Sequence, residues 1–215
     1  MSDLAKAIEN VYYAFADVPK PDAIRACPCC IDEATLSRLE TVPLRELTDE
    51  DLSPYASSAF LTAGEVVDYL YFLPRILEVT ITDDTWWPDI EVTGRAIRET
   101  KPKTWPKVRR VAVQELFEAV FESFLAKQFY YRIDDWVCGA ARADFDVLPL
   151  LRIIETSDEA ILEFFNANSG ALGDRKLGNP FWESYDAGQD IILTWFLSEK
   201  IRRVPYEAYG YRIFE

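Results

Sequence analysis

The stretch "VRRVAVQELFEAVFESFLAKQF", residues 108–129, is the longest run in which apolar side chains recur every three or four positions without a helix breaker. That spacing returns side chains to one side of a 3.6-residue turn, so it predicts a long helix at the centre of the fold. The same spacing recurs along most of the chain, and clean period-two alternation is scarce. The expected class is therefore all-α: a single-domain, multi-helix bundle or helical-hairpin array over residues 1–215, with at most a short two-stranded element.

Working outward, Leu4, Ile8, Val11, Tyr12 and Phe15 mark a first helix that should stop before Pro19 and Pro21. In "LTDEDLSPYASSAFLTAG" (47–64), Thr48 is placed to cap a second helix and Asp51 to complete an acidic capping box, with Gly64 as the stop. "EVVDYLYFLPRILEVTI" (65–81) is apolar enough for a core helix, but Pro74 removes a donor and predicts a kink or break. Shorter helices are expected at 133–142 and 146–155, a capped one from Ser157 or Asp158, and a last long one over 186–203. The total is seven to nine helices. "DDTWWPD" (83–89), "RETKPKTWP" (98–106) and "NSGALGDRKLGNP" (168–180) read as loops, the last as the best candidate for a mobile element.

A chain of 215 residues with 49% hydrophobic content can bury a sizeable core, and no linker-like tract divides it. The formal charge of -14 repels phosphate and anionic lipid, so neither nucleic acid nor a membrane is an expected partner; basic proteins or cations are. "MSDLAKAIENVYYAFADV" lacks the features of a secretory signal, and the apolar runs are interrupted before the roughly 20 residues needed to cross a bilayer. A cytoplasmic protein with reduced cysteines is expected.

The chain has no histidine. That removes Ser-His and Cys-His nucleophilic pairs, helical zinc-protease motifs and imidazole bases near neutral pH. Phosphate-loop, dinucleotide-binding and nucleophile-elbow patterns are also absent. No cofactor is implied, with zinc as the one exception that the cysteines could support. Cys27, Cys29 and Cys30, with distant Cys138, match the four ligands of a zinc tetrahedron in number. Their spacing is unusual, because neighbouring Cys29 and Cys30 are expected to project apart. Cys27 and Cys30 have redox-motif spacing but lack a preceding strand. The third alternative is thiols packed at the start of a helix, with Pro28 shaping the first turn.

Glu115, Glu118 and Glu122 share a narrow stripe of the long helix, which would suit a hard cation or acid–base chemistry if turned inward and a solvated edge otherwise. Arg75, among apolar neighbours, should pair with Glu78. "RETKPKTWPKVRR" (98–110) is the one basic patch, with Arg109 and Arg110 near Trp105. Together with Trp86 and Trp87 these residues form the candidate partner-binding set.

"CPCC" (27–30), "YFLPRILE" (71–78) and "TWP" (104–106), taken together, resemble a group of bacterial proteins without a known activity, over about the first two-thirds of the chain. The resemblance implies a bacterial cytosolic origin and transfers no catalytic residue. The leading functional expectation is a non-enzymatic interaction role, such as an adaptor or immunity-type protein binding a protein partner. The alternatives are a thiol-based metal-binding or redox-sensing protein using the cysteine cluster, and a carboxylate-dependent enzyme using the glutamate stripe.

Overall fold

The computed structural model describes residues 3–83, 85–184 and 187–210. Among these the chain forms eleven α-helices and four short 3-10 turns, and its only β-pairing is two isolated bridges, Ala26 with Ala63 and Ala59 with Ala63. The protein is all-α. Its packing divides it into two compact units, Met1–Leu116 and Phe117–Glu215, and the division falls inside the long helix that the apolar run predicts.

The first unit contains α1 (Asp3–Ala14), α2 (Glu33–Thr41), α3 (Asp49–Ser58), α4 (Val66–Thr82), α5 (Ile90–Glu99) and the beginning of α6 (Lys107–Lys127). The expected capping box forms at α3: Thr48 Oγ1 accepts from Asp51 N at 3.2 Å, and Asp51 Oδ2 accepts from Thr48 N at 3.0 Å. This helix ends at Ser58 rather than at Gly64, and residues 59–64 become a separate turn with a different task. The break expected at Pro74 does not occur, because α4 continues through it. Phe72, Leu73, Ile76 and Leu77 around the proline are all buried, and at roughly 1.5–3 kcal/mol each their burial outweighs the roughly 3 kcal/mol cost of an internal proline. Arg75 pairs with Glu78 at 2.6 Å as expected and donates to Leu47 O at 2.9 Å, while Tyr12 Oη donates to Glu78 at 2.6 Å.

Two helices exceed the expected count in this unit. In α2 only Leu39 is buried, which leaves little apolar spacing to detect. In α5, Ile90, Thr93, Gly94, Ala96 and Ile97 are buried despite a β-branched and glycine-containing sequence; packing overrides local propensity there.

The second unit contains the remainder of α6, α7 (Ile133–Arg142), α8 (Leu148–Ile154), α9 (Asp158–Leu172), α10 (Gln189–Leu197) and α11 (Glu199–Tyr209). Ser157 caps α9 as expected, its Oγ accepting from Ala160 N at 3.2 Å. The single helix expected over 186–203 is split at Ser198, whose backbone is extended, and residue 186 lies outside the described residues. The stretch 168–180, expected as a loose loop, is instead tied down. Its first turn belongs to α9, where buried Asn168 donates to Asp134 Oδ1 at 2.7 Å and accepts from Gly178 N at 2.7 Å. Among the described residues no helix is long and apolar enough to cross a membrane.

Candidate thiol metal centre

Segment 25–31 is held by the turn that follows α3. Cys27 N donates to Thr62 O at 2.8 Å, Gly64 N donates to Arg25 O at 2.9 Å, and Ala26 bridges Ala63 between them. The chain then reverses. Cys30 N and Ile31 N both donate to Cys27 O, at 2.9 and 3.1 Å, with Pro28 at the second position of the turn, where its fixed φ is favourable. Ile31, 1% exposed, anchors the far side, and Asp32 caps α2 by accepting from Thr35 N at 2.7 Å.

A turn pinned at both ends brings the three sulfurs together. Cys27 Sγ lies 2.7 Å from Cys29 Sγ, Cys29 Sγ lies 3.8 Å from Cys30 Sγ, and all three fall within 4.8 Å of one another. The divergence expected of adjacent Cys29 and Cys30 is thus corrected: the turn rotates successive residues so that both thiols share its open side. Nor is the cluster packed away as the start of a helix. Cys29 and Cys30 are exposed, Cys27 is half-buried, and α2 begins only after Asp32.

The three thiols influence one another's ionisation. Contact with the Cys29 thiol, together with the backbone N–H groups of Cys29 and Cys30, holds the Cys27 thiol below its ordinary range. The same contact with Cys27, and then that with Cys30, pushes the Cys29 thiol up to about 11. A cation that displaces the thiol protons meets three sulfurs at once. The 3.8 Å separation of Cys29 and Cys30 is close to the sulfur–sulfur edge of about 3.8 Å set by two metal–thiolate bonds of about 2.3 Å, whereas the 2.7 Å pair of Cys27 and Cys29 must open by about 1 Å for both sulfurs to bind one ion.

The other candidate residues are placed as follows. Cys138 lies on α7 in the second unit and is fully buried. Glu115 and Glu122 are exposed and Glu118 is half-buried along α6. Trp105 is buried; its Nε1 donates to Thr100 O at 3.2 Å and its ring meets Phe15 edge-on at 5.4 Å. Arg109 closes the end of α1, donating to Asp17 at 2.7 Å and to Ala14 O at 3.3 Å. Trp86 is buried beside the cis Trp87–Pro88 peptide, whereas Trp87 is 56% exposed and Arg110 is exposed. Sequence reasoning missed Thr62, Ala63 and Gly64 as the support of the cysteine turn. Gly64 was the only visible signal, and helix termination was the nearer explanation for it.

Comparison of the chain with protein-family models, with curated proteins and with solved structures finds no match.

Proposed function

We propose that the protein is a thiol-dependent metal-binding protein whose site is Cys27, Cys29 and Cys30, and that it senses or sequesters a soft metal ion. The observation that carries this reading is the convergence of three accessible sulfurs within 4.8 Å on a turn anchored at both ends. Thiolate clusters favour soft or borderline ions, and a half-exposed cluster lets such an ion enter and leave without unfolding the protein. This role takes precedence over partner binding through the aromatic and basic set, because Trp105 and Arg109 hydrogen-bond within the first unit and Trp86 is buried, which leaves only Trp87 and Arg110 of that set exposed.

The test is metal titration of the reduced, chelator-free protein under anaerobic conditions, followed by desalting and elemental analysis. The expected result is one tightly held soft metal ion per chain, lost on Cys27→Ser substitution with the helical circular dichroism unchanged. Absence of any retained metal would overturn the reading.

A further inference from the structure

We infer that the ion this site selects is Cu(I), held by three thiolates, in preference to Zn(II). The inference rests on the metal-binding reading above and names its ligand. Zinc sites take four ligands in a tetrahedron, or three protein ligands with water in the fourth position. Among the described residues, the donor atoms that converge here number three, all of them sulfur.

The chain has little with which to complete a zinc shell. It contains no histidine, and its one remaining cysteine, Cys138, is fully buried in α7. No carboxylate oxygen joins the three sulfurs among the described residues: Asp32 accepts from Thr35 N at 2.7 Å as the cap of α2, Glu65 pairs with Arg25 at 3.6 Å, and Glu33 is exposed on the first turn of α2. Zinc would therefore be left with water as its fourth ligand on an exposed surface. Cu(I), a softer ion, is well matched by thiolates alone and needs no hard oxygen donor. On binding, Cu(I) takes the place of the thiol protons, which pass to the buffer, and no electron is transferred.

Competition titrations on the reduced full-length protein test the inference. Cu(I) is supplied anaerobically against a chromophoric Cu(I) chelator, and Zn(II) is supplied separately against a zinc indicator. One Cu(I) per chain is expected, with three sulfur neighbours by copper-edge X-ray absorption and no displacement by equimolar zinc. Cys29→Ser and Cys30→Ser should each weaken Cu(I) binding by roughly tenfold or more, since each removes one of three soft ligands. Cys138→Ala should leave Cu(I) binding unchanged.

Zinc that binds as tightly as Cu(I) would overturn the choice of Cu(I), and a copper site with two sulfur neighbours, or loss of metal in Cys138→Ala, would overturn its three-thiolate shell; either leaves metal binding standing. Retention of neither ion would overturn the metal-binding reading itself. Cys29 and Cys30 are exposed, so circular dichroism of their serine variants separates a lost ligand from a lost fold.

Discussion

Gly64 joins the fold to the site in a single residue. Its φ of +70° belongs to the left-handed region, its N–H donates to Arg25 O at 2.9 Å, and its Cα faces the ring of Tyr55. A Cβ there would meet the Tyr55 hydroxyl and lie 2.8 and 2.9 Å from two ring carbons, and Tyr55 is fully buried, so the ring has nowhere to move. Gly64→Ala should therefore destabilise the protein by roughly 2–3 kcal/mol in urea unfolding and loosen the support of the cysteine turn. The Tyr55 hydroxyl has no hydrogen-bond partner among the described residues. Tyr55→Phe alone should be neutral or stabilising by up to about 1 kcal/mol, and combined with Gly64→Ala it should recover part of the loss. Strict additivity of the two substitutions would show that the contact does not set the cost.

Helix ends are where the elements carry strain. Gln128, Asp144 and Arg175 stand just past the ends of α6, α7 and α9 with φ of 59°, 62° and 56°. In each case the next residue reaches back to close the helix: Phe129 N to Phe124 O at 2.9 Å, Phe145 N to Ala140 O at 3.1 Å and Lys176 N to Ala171 O at 3.1 Å. This is the Schellman arrangement, which favours glycine at the left-handed position. At exposed Gln128 a glycine relieves about 1–2 kcal/mol of left-handed strain and gives part of it back through a more flexible unfolded chain. Gln128→Gly is thus expected to stabilise by roughly 0.5–1 kcal/mol, which differential scanning calorimetry would register as a rise in Tm of about 1–4 °C. A lower Tm would mean that the glutamine side chain contributes more than its backbone costs.

For the whole molecule, the charge of -14 is the dominant long-range term. Like charges brought together by folding repel, and salt shortens their reach from about 30 Å at 0.01 M to about 8 Å at 0.15 M. Raising sodium chloride over that range should increase Tm by several degrees. A Tm that falls would show that attractive ion pairs, such as Arg45 with Glu9 at 2.7 Å, outweigh the net repulsion. At this scale the sequence by itself determined the all-α class, most helix positions, the caps at Thr48 and Ser157 and the exclusion of imidazole chemistry. Those properties depend on interactions within a few residues or on composition, and both can be read along a line. Only the tertiary structure decided that α4 passes through Pro74, that the last helix splits at Ser198, and that Cys27, Cys29 and Cys30 converge on an exposed turn. The turn is closed locally by Cys30 N and Ile31 N on Cys27 O and is held in place by Thr62 O, which accepts from Cys27 N, and by Gly64 N, which donates to Arg25 O, residues far along the chain whose contribution exists only once α3 and α4 have folded. Local spacing describes where a cysteine can point, and a distant backbone partner selects where it does.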